Sequence, residues 1–150
     1  MKTLEFLVAL TVLLSFSCSN DDDSGTPSNS ELIIGKWQLT SSTVDGMPVA
    51  LSDCLLQTTI EFKANGELSL AGFAEVSVVG QDTSECNASA AITLNYTIDG
   101  NIITVGSGAE ADKTTIVTLN ATTLTVSYTD EDNDGGEVIT VVNTDTFTRI

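Results

Sequence analysis

Apolar and polar residues alternate with a period of two along most of this chain. In Ile34-Gly35-Lys36-Trp37-Gln38-Leu39-Thr40, Trp37 and Leu39 alternate with Lys36, Gln38 and Thr40, which predicts a strand with one buried and one wet face. The same pattern predicts strands over 57–63, 67–70 (continuing through Val78 after an irregularity at Gly72), 90–98, 101–105, 114–119, 122–128 and 137–149. Tight hairpin signals join several of them: Asn65-Gly66, Asp99-Gly100 and Asn120-Ala121. The two-residue turn that best matches strand twist needs positive φ at both central positions, which Asn, Asp and Gly tolerate. Segments 46–56, 80–87, 106–112 and 130–136 read as loops, and 31–34 as a short helical turn ahead of the first strand.

Eight strands joined mostly by short connections, with no helix-length segment between them, predict an all-β domain over 31–150. Such a meander must protect its two edge strands, and closure into an antiparallel up-and-down barrel removes both. An immunoglobulin-like sandwich is the alternative, but it needs longer crossings between sheets. The alternation turns Leu39, Ile60, Phe62, Leu68, Leu70 and Ile92 inward, and likewise Leu94, Tyr96, Val117, Leu119, Leu124, Val126 and Tyr128. An eight-stranded barrel is just wide enough either to fill with these side chains or to hold one small ligand.

The N-terminus follows a different pattern. Met1-Lys2 precedes an apolar stretch over 4–14, then Ser15-Phe16-Ser17 and Cys18, then Ser19-Asn20-Asp21-Asp22-Asp23. A basic start, a short apolar run and a small residue before a cysteine are the layout of a secretion signal, and the run is too short to span a bilayer. The cysteine placement resembles a bacterial lipoprotein signal, which implies removal of 1–17 and lipidation of Cys18. Ser15-Phe16-Ser17 also reads as the small-any-small site of an ordinary cleaved signal. Residues 18–30 are then an acidic, Ser-rich tether reaching on the order of 20 Å from a membrane.

Removing the signal leaves 133 residues of the 150, enough for one modest core, and leaves the net charge at −16. So acidic a chain, with no basic patch, is no nucleic acid partner. There is no histidine, which eliminates a Ser-His-Asp triad, a Cys-His pair and most zinc sites. With Cys18 assigned to lipid, Cys54 and Cys86 are an even pair in an exported chain, and a disulfide is expected. Asp130-Glu131-Asp132-Asn133-Asp134-Gly135 reproduces Asp-any-Asp-any-Asp-Gly, the first half of a calcium loop. The position that should carry a bidentate glutamate is Val141, and no helices flank the loop, so a solvated hairpin turn stands beside that reading and no metal is assigned.

Gly35-Lys36-Trp37 on the first strand resembles the Gly-any-Trp motif of lipocalins. Together with the acidic segment after Cys18, the Cys54 position, the 61–66 hairpin and Phe147-Thr148-Arg149, it is similar to the lipocalin-like domains of Bacteroidetes-type surface lipoproteins. The resemblance implies an outer-membrane location at the cell surface. It also implies that Arg149 lies over Trp37 where the first and last strands meet, and that the barrel holds a small apolar ligand. Phe62, Leu70, Tyr96 and Tyr128 are the residues expected to line it. The competing expectation is a surface interaction module without an internal ligand, using loops 51–56 and 79–89. Neither reading needs a cofactor or a catalytic residue.

Overall fold

A computed structural model describes residues 27–77, 84–134 and 137–150 of the chain. The Cys18 attachment, the signal and most of the tether lie outside the described residues.

Among the described residues eleven strands form in chain order: β1 (Gly35–Val44), β2 (Met47–Val49), β3 (Thr59–Phe62), β4 (Glu67–Ala71), β5 (Phe73–Ser77), β6 (Ser84–Ala88), β7 (Ile92–Asp99), β8 (Ile102–Val105), β9 (Asp112–Leu119), β10 (Thr123–Asp134) and β11 (Glu137–Arg149). Nine of them make one antiparallel sheet, and β11 pairs back onto β1, from Trp37↔Arg149 to Val44↔Asn143. Setting aside the short β2, which only flanks the upper part of β1, eight strands close an up-and-down barrel. A single sheet that closes on itself excludes the sandwich.

The hairpins β3–β4, β7–β8 and β9–β10 lie at one end of the barrel, together with the helical turn α1 (Asn29–Leu32). The longer connections lie at the other. The core fills the hairpin end: Ile33, Trp37, Phe62, Leu68, Tyr96, Ile103, Ile116, Leu124, Val126 and Phe147 form one buried cluster. Packing this cluster is the main drive for closure, since each large apolar side chain removed from water contributes about 1.5–3 kcal/mol.

Several sequence expectations need correction. The helical turn starts at Asn29, inside the expected tether, because the Ser28 N–H and Oγ both donate to Glu31 Oε2 at 2.8 Å and so fix its entry. Those bonds hold the Glu31 carboxyl below its ordinary pKa. Segment 46–56 contains β2 and leads into a 3-10 turn, Leu55–Gln57. The β4 strand does not run on past Gly72; the chain breaks away there into a separate two-stranded ribbon, β5–β6, so the expected 80–87 loop ends in a strand. Val117 is exposed and Ile116 buried, since β9 carries a bulge opposite Thr125/Val126 that reverses the alternation.

Residues 130–134 are not a loop. They extend β10 through the pairs Asp130↔Val141 to Asp134↔Glu137, and the turn at 135–136 lies outside the described residues. Alternate positions on an extended strand stand about 6.5–7 Å apart. Residues 130–134 therefore lack the curled backbone of a calcium loop. The Asp130 carboxylate instead accepts a hydrogen bond from Asn143 Nδ2 at 2.9 Å across the ribbon.

Candidate functional site

One end of the barrel is sealed by Trp37 and Arg149. The indole is fully buried, and the Arg149 guanidinium lies over it with Cζ 4.1 Å from the ring centroid. A helical turn leaves its last carbonyls without partners, and here the sealing pair supplies them. Trp37 Nε1 donates to the Ile33 carbonyl at 2.8 Å, Arg149 Nη1 to that of Ile34 at 2.6 Å and Arg149 Nη2 to that of Leu32. Arg149 Nε reaches Ala121 in the β9–β10 hairpin at 2.7 Å. One planar group with donors in a fixed fork thus ties the helical turn, the first strand and a closing hairpin. This accounts for the glycine two residues before the tryptophan: Gly35 has φ +134°, and a Cβ there would collide with the guanidinium.

Above this floor the barrel is hollow. A cavity of about 500 Å³ opens toward the end carrying the long connections, a size typical of small-molecule sites. Its lower wall is apolar, with Phe62, Leu68, Ile103, Val126 and Phe147 at the base and Ile60, Leu70, Leu94 and Val105 above them. The inward face of β7 records the passage from floor to mouth: exposure is 9% at Tyr96, 41% at Leu94 and 51% at Ile92. Ile92 and Leu94 therefore belong to the rim of the interior face rather than to its buried part. The rim is low on this side because β8 is only four residues long.

The upper wall is polar. Tyr128 and Asp145 line the cavity, and Tyr128 Oη donates to Asp145 Oδ2 at 3.1 Å. Burial, reinforced by the negative charge and hydrogen bond of Asp145 and the charge of Asp130, pushes the Tyr128 phenol up to about 12, so it stays protonated at neutral pH. Asp112, Lys113, Thr114, Thr129 and Asp130 complete the lip.

Of the four residues expected to contact a ligand, Phe62, Leu70 and Tyr128 line the cavity. Tyr96 does not. It packs edge-on against Phe62 with ring centroids 5.0 Å apart, and its hydroxyl donates to the Lys63 carbonyl at 2.9 Å, below the cavity floor. Asp145 was not singled out from the sequence. Its signal was its parity with the inward Phe147, two residues along the same strand.

At the open end Cys54 and Cys86 form a disulfide, with Cα atoms 5.4 Å apart. It ties the connection between β2 and β3 to the β5–β6 ribbon. Cys54 is buried and Cys86 exposed.

The sequence pattern of a family described as lipocalin-like domain matches residues 33–126. No curated protein sequence matches the chain. Among solved structures the chain is similar to bovine odorant binding protein complexed with its natural ligand: 15% identity, 83% of this chain and 76% of that one covered, TM-score 0.45. It is also similar to the bovine lipocalin allergen Bos d 2: 13% identity, coverage of 80% and 74%, TM-score 0.41.

Proposed function

The chain belongs to the lipocalin-like domain family, and on that premise we propose that it is a non-catalytic binding protein, anchored through lipid on Cys18 to the bacterial outer membrane and displayed at the cell surface, that holds one small apolar ligand in its barrel. The observation that carries the ligand is the cavity: its base is walled by carbon, it is closed below by Trp37 and Arg149, and it opens to solvent above. A barrel built only for stability gains by filling that volume, because an unfilled void forfeits packing contacts. The anchor rests on the sequence around Cys18, and residues 18–28 would serve as the tether between the membrane and the helical turn.

Titration of the purified protein with a neutral environment-sensitive probe, N-phenyl-1-naphthylamine, tests the cavity. Saturable fluorescence enhancement that is reduced by Leu70→Trp, which places a large ring in the cavity, is expected; no saturable enhancement ends the reading. Labelling cells with an alkyne-bearing fatty acid tests the anchor. The protein should take up label and the Cys18→Ala form should not.

A surface interaction module is favoured by one observation only. Met47, Val49 and Leu55, on the connection between β1 and β3, leave apolar surface exposed beside the mouth.

A further inference from the structure

The cavity has a built-in polarity, and resting on the binding reading above, we infer that its ligand is an amphiphile with a short apolar body and a protonated amine at the end that lies beside Asp145. The argument begins with register. On β11 and β10 the residues facing the barrel interior alternate, and Asp145 sits directly opposite Val126, a buried wall residue, and two positions from Phe147, another. Asp145 is therefore an interior carboxylate, placed where strands of a filled barrel carry apolar side chains.

Going up these two strands, the interior face runs from Leu124, Val126 and Phe147 to Tyr128 and Asp145, then to Asp130 and Asn143. Carbon at the base gives way to a hydrogen-bonded phenol and carboxylate, and then to the wet lip. Tyr128 satisfies Asp145 Oδ2 with one hydrogen bond. A carboxylate offers about four acceptor positions, so the Asp145 carboxylate can accept further donors. The phenol fixes the carboxylate in place without neutralising it. The cavity thus presents a preoriented, negatively charged acceptor above an apolar chamber.

The charges around the mouth are predominantly negative. Asp112, Asp130 and Asp145 line the cavity against one cation, Lys113. Of the other basic groups in the described residues, Arg149 is committed to the floor, Lys63 pairs with Glu67 at 3.5 Å at the closed end, and Lys36 is exposed on β1 next to Trp37 at that same end. A ligand carboxylate entering this site would meet three carboxylates against the single cation Lys113, and partial burial of Asp145 strengthens the net repulsion. An ammonium would instead donate to Asp145 while its chain lies on Leu70, Val126 and Phe147.

The test uses the full chain carrying Cys18→Ser, so that no attached acyl group competes for the cavity. N-phenyl-1-naphthylamine is displaced at pH 7 by octylamine, octanol or octanoate, three ligands of one chain length that differ in head group. Octylamine is expected to bind at least about tenfold more tightly than octanoate, with octanol between them. Asp145→Asn is expected to weaken octylamine about tenfold and to abolish its advantage over octanoate, with circular dichroism checking that the barrel is intact. Equal affinities of amine and acid for the unsubstituted cavity overturn the inference and leave the apolar binding reading standing; this comparison does not depend on the variant folding. An amine affinity untouched by a folded Asp145→Asn form also overturns it. If neither probe nor octanol binds, the cavity reading itself falls, and the inference with it.

Discussion

Replacing Arg149 with methionine removes the seal while keeping most of the side chain's apolar stem against the indole. Three donated hydrogen bonds are lost. The Ala121 carbonyl is exposed and water can replace its partner, so that bond contributes little. The Leu32 and Ile34 carbonyls are half-buried, and losing a charged donor at each costs about 1.5 kcal/mol. Loss of the stacked cation adds about 1 kcal/mol. The expected destabilisation of Arg149→Met is therefore about 4 kcal/mol, equivalent to a Tm lowered by roughly 10–20 °C for a domain of this size. Arg149→Lys keeps the charge but cannot serve three carbonyls spread around a planar fork, and about half the loss is expected. Urea unfolding followed by tryptophan fluorescence measures both, since Trp37 is the only tryptophan and lies under the substituted group. A Met variant within about 1 kcal/mol of the parent, at unchanged m, would refute the claim that this contact holds the barrel shut.

Reducing the Cys54–Cys86 bridge, which spans 32 residues, should lower stability by about 3–4 kcal/mol through the freed entropy of the unfolded chain; urea midpoints with and without reductant report it, and equal midpoints contradict it. The raised Tyr128 pKa fixes a pH dependence of definite sign. Its folded value of about 12 lies above the ordinary tyrosine value of about 10. Between these two values the unfolded chain has lost the proton and the native state has kept it. The stability contributed by this group is therefore full below about pH 10 and is lost as pH rises toward 12. Urea midpoints at pH 9 and pH 11 should fall less in Tyr128→Phe than in the parent; Tyr96, also raised by burial, supplies the fall that persists.

The barrel was legible in the sequence because most of its strands keep strict alternation and most of its tight turns carry Asn-Gly or Asp-Gly. Where reading failed, a local device had changed the period. Val117 was misassigned because one bulge in β9 shifts the register, and a bulge has no signature in a run of Thr and Val. Residues 130–134 looked like a turn because Asp and Asn favour turns, yet pairing with a partner strand rich in Val, Ile and Thr overrides that local preference. The seal was accessible through Gly35, Trp37 and Arg149 together. The polar half of the cavity was not, because Asp145 on a strand reads as a wet-face residue until register shows that it shares a face with Phe147.

The placement of the sealing arginine on the last strand has a consequence for how this protein is made. A chain synthesised or threaded through a membrane from its N-terminus has β1 long before β11. Until β11 arrives, β1 lacks one neighbour and the carbonyls of the Leu32–Ile34 turn lack the guanidinium. No prefix of the sequence that stops short of this strand can shut the cylinder, however well its hairpins have formed. Under the export proposed above, that would be an asset: the part still inside the cell could not commit to a rigid shape that would jam the pore. The fold locks only when its two distant ends meet.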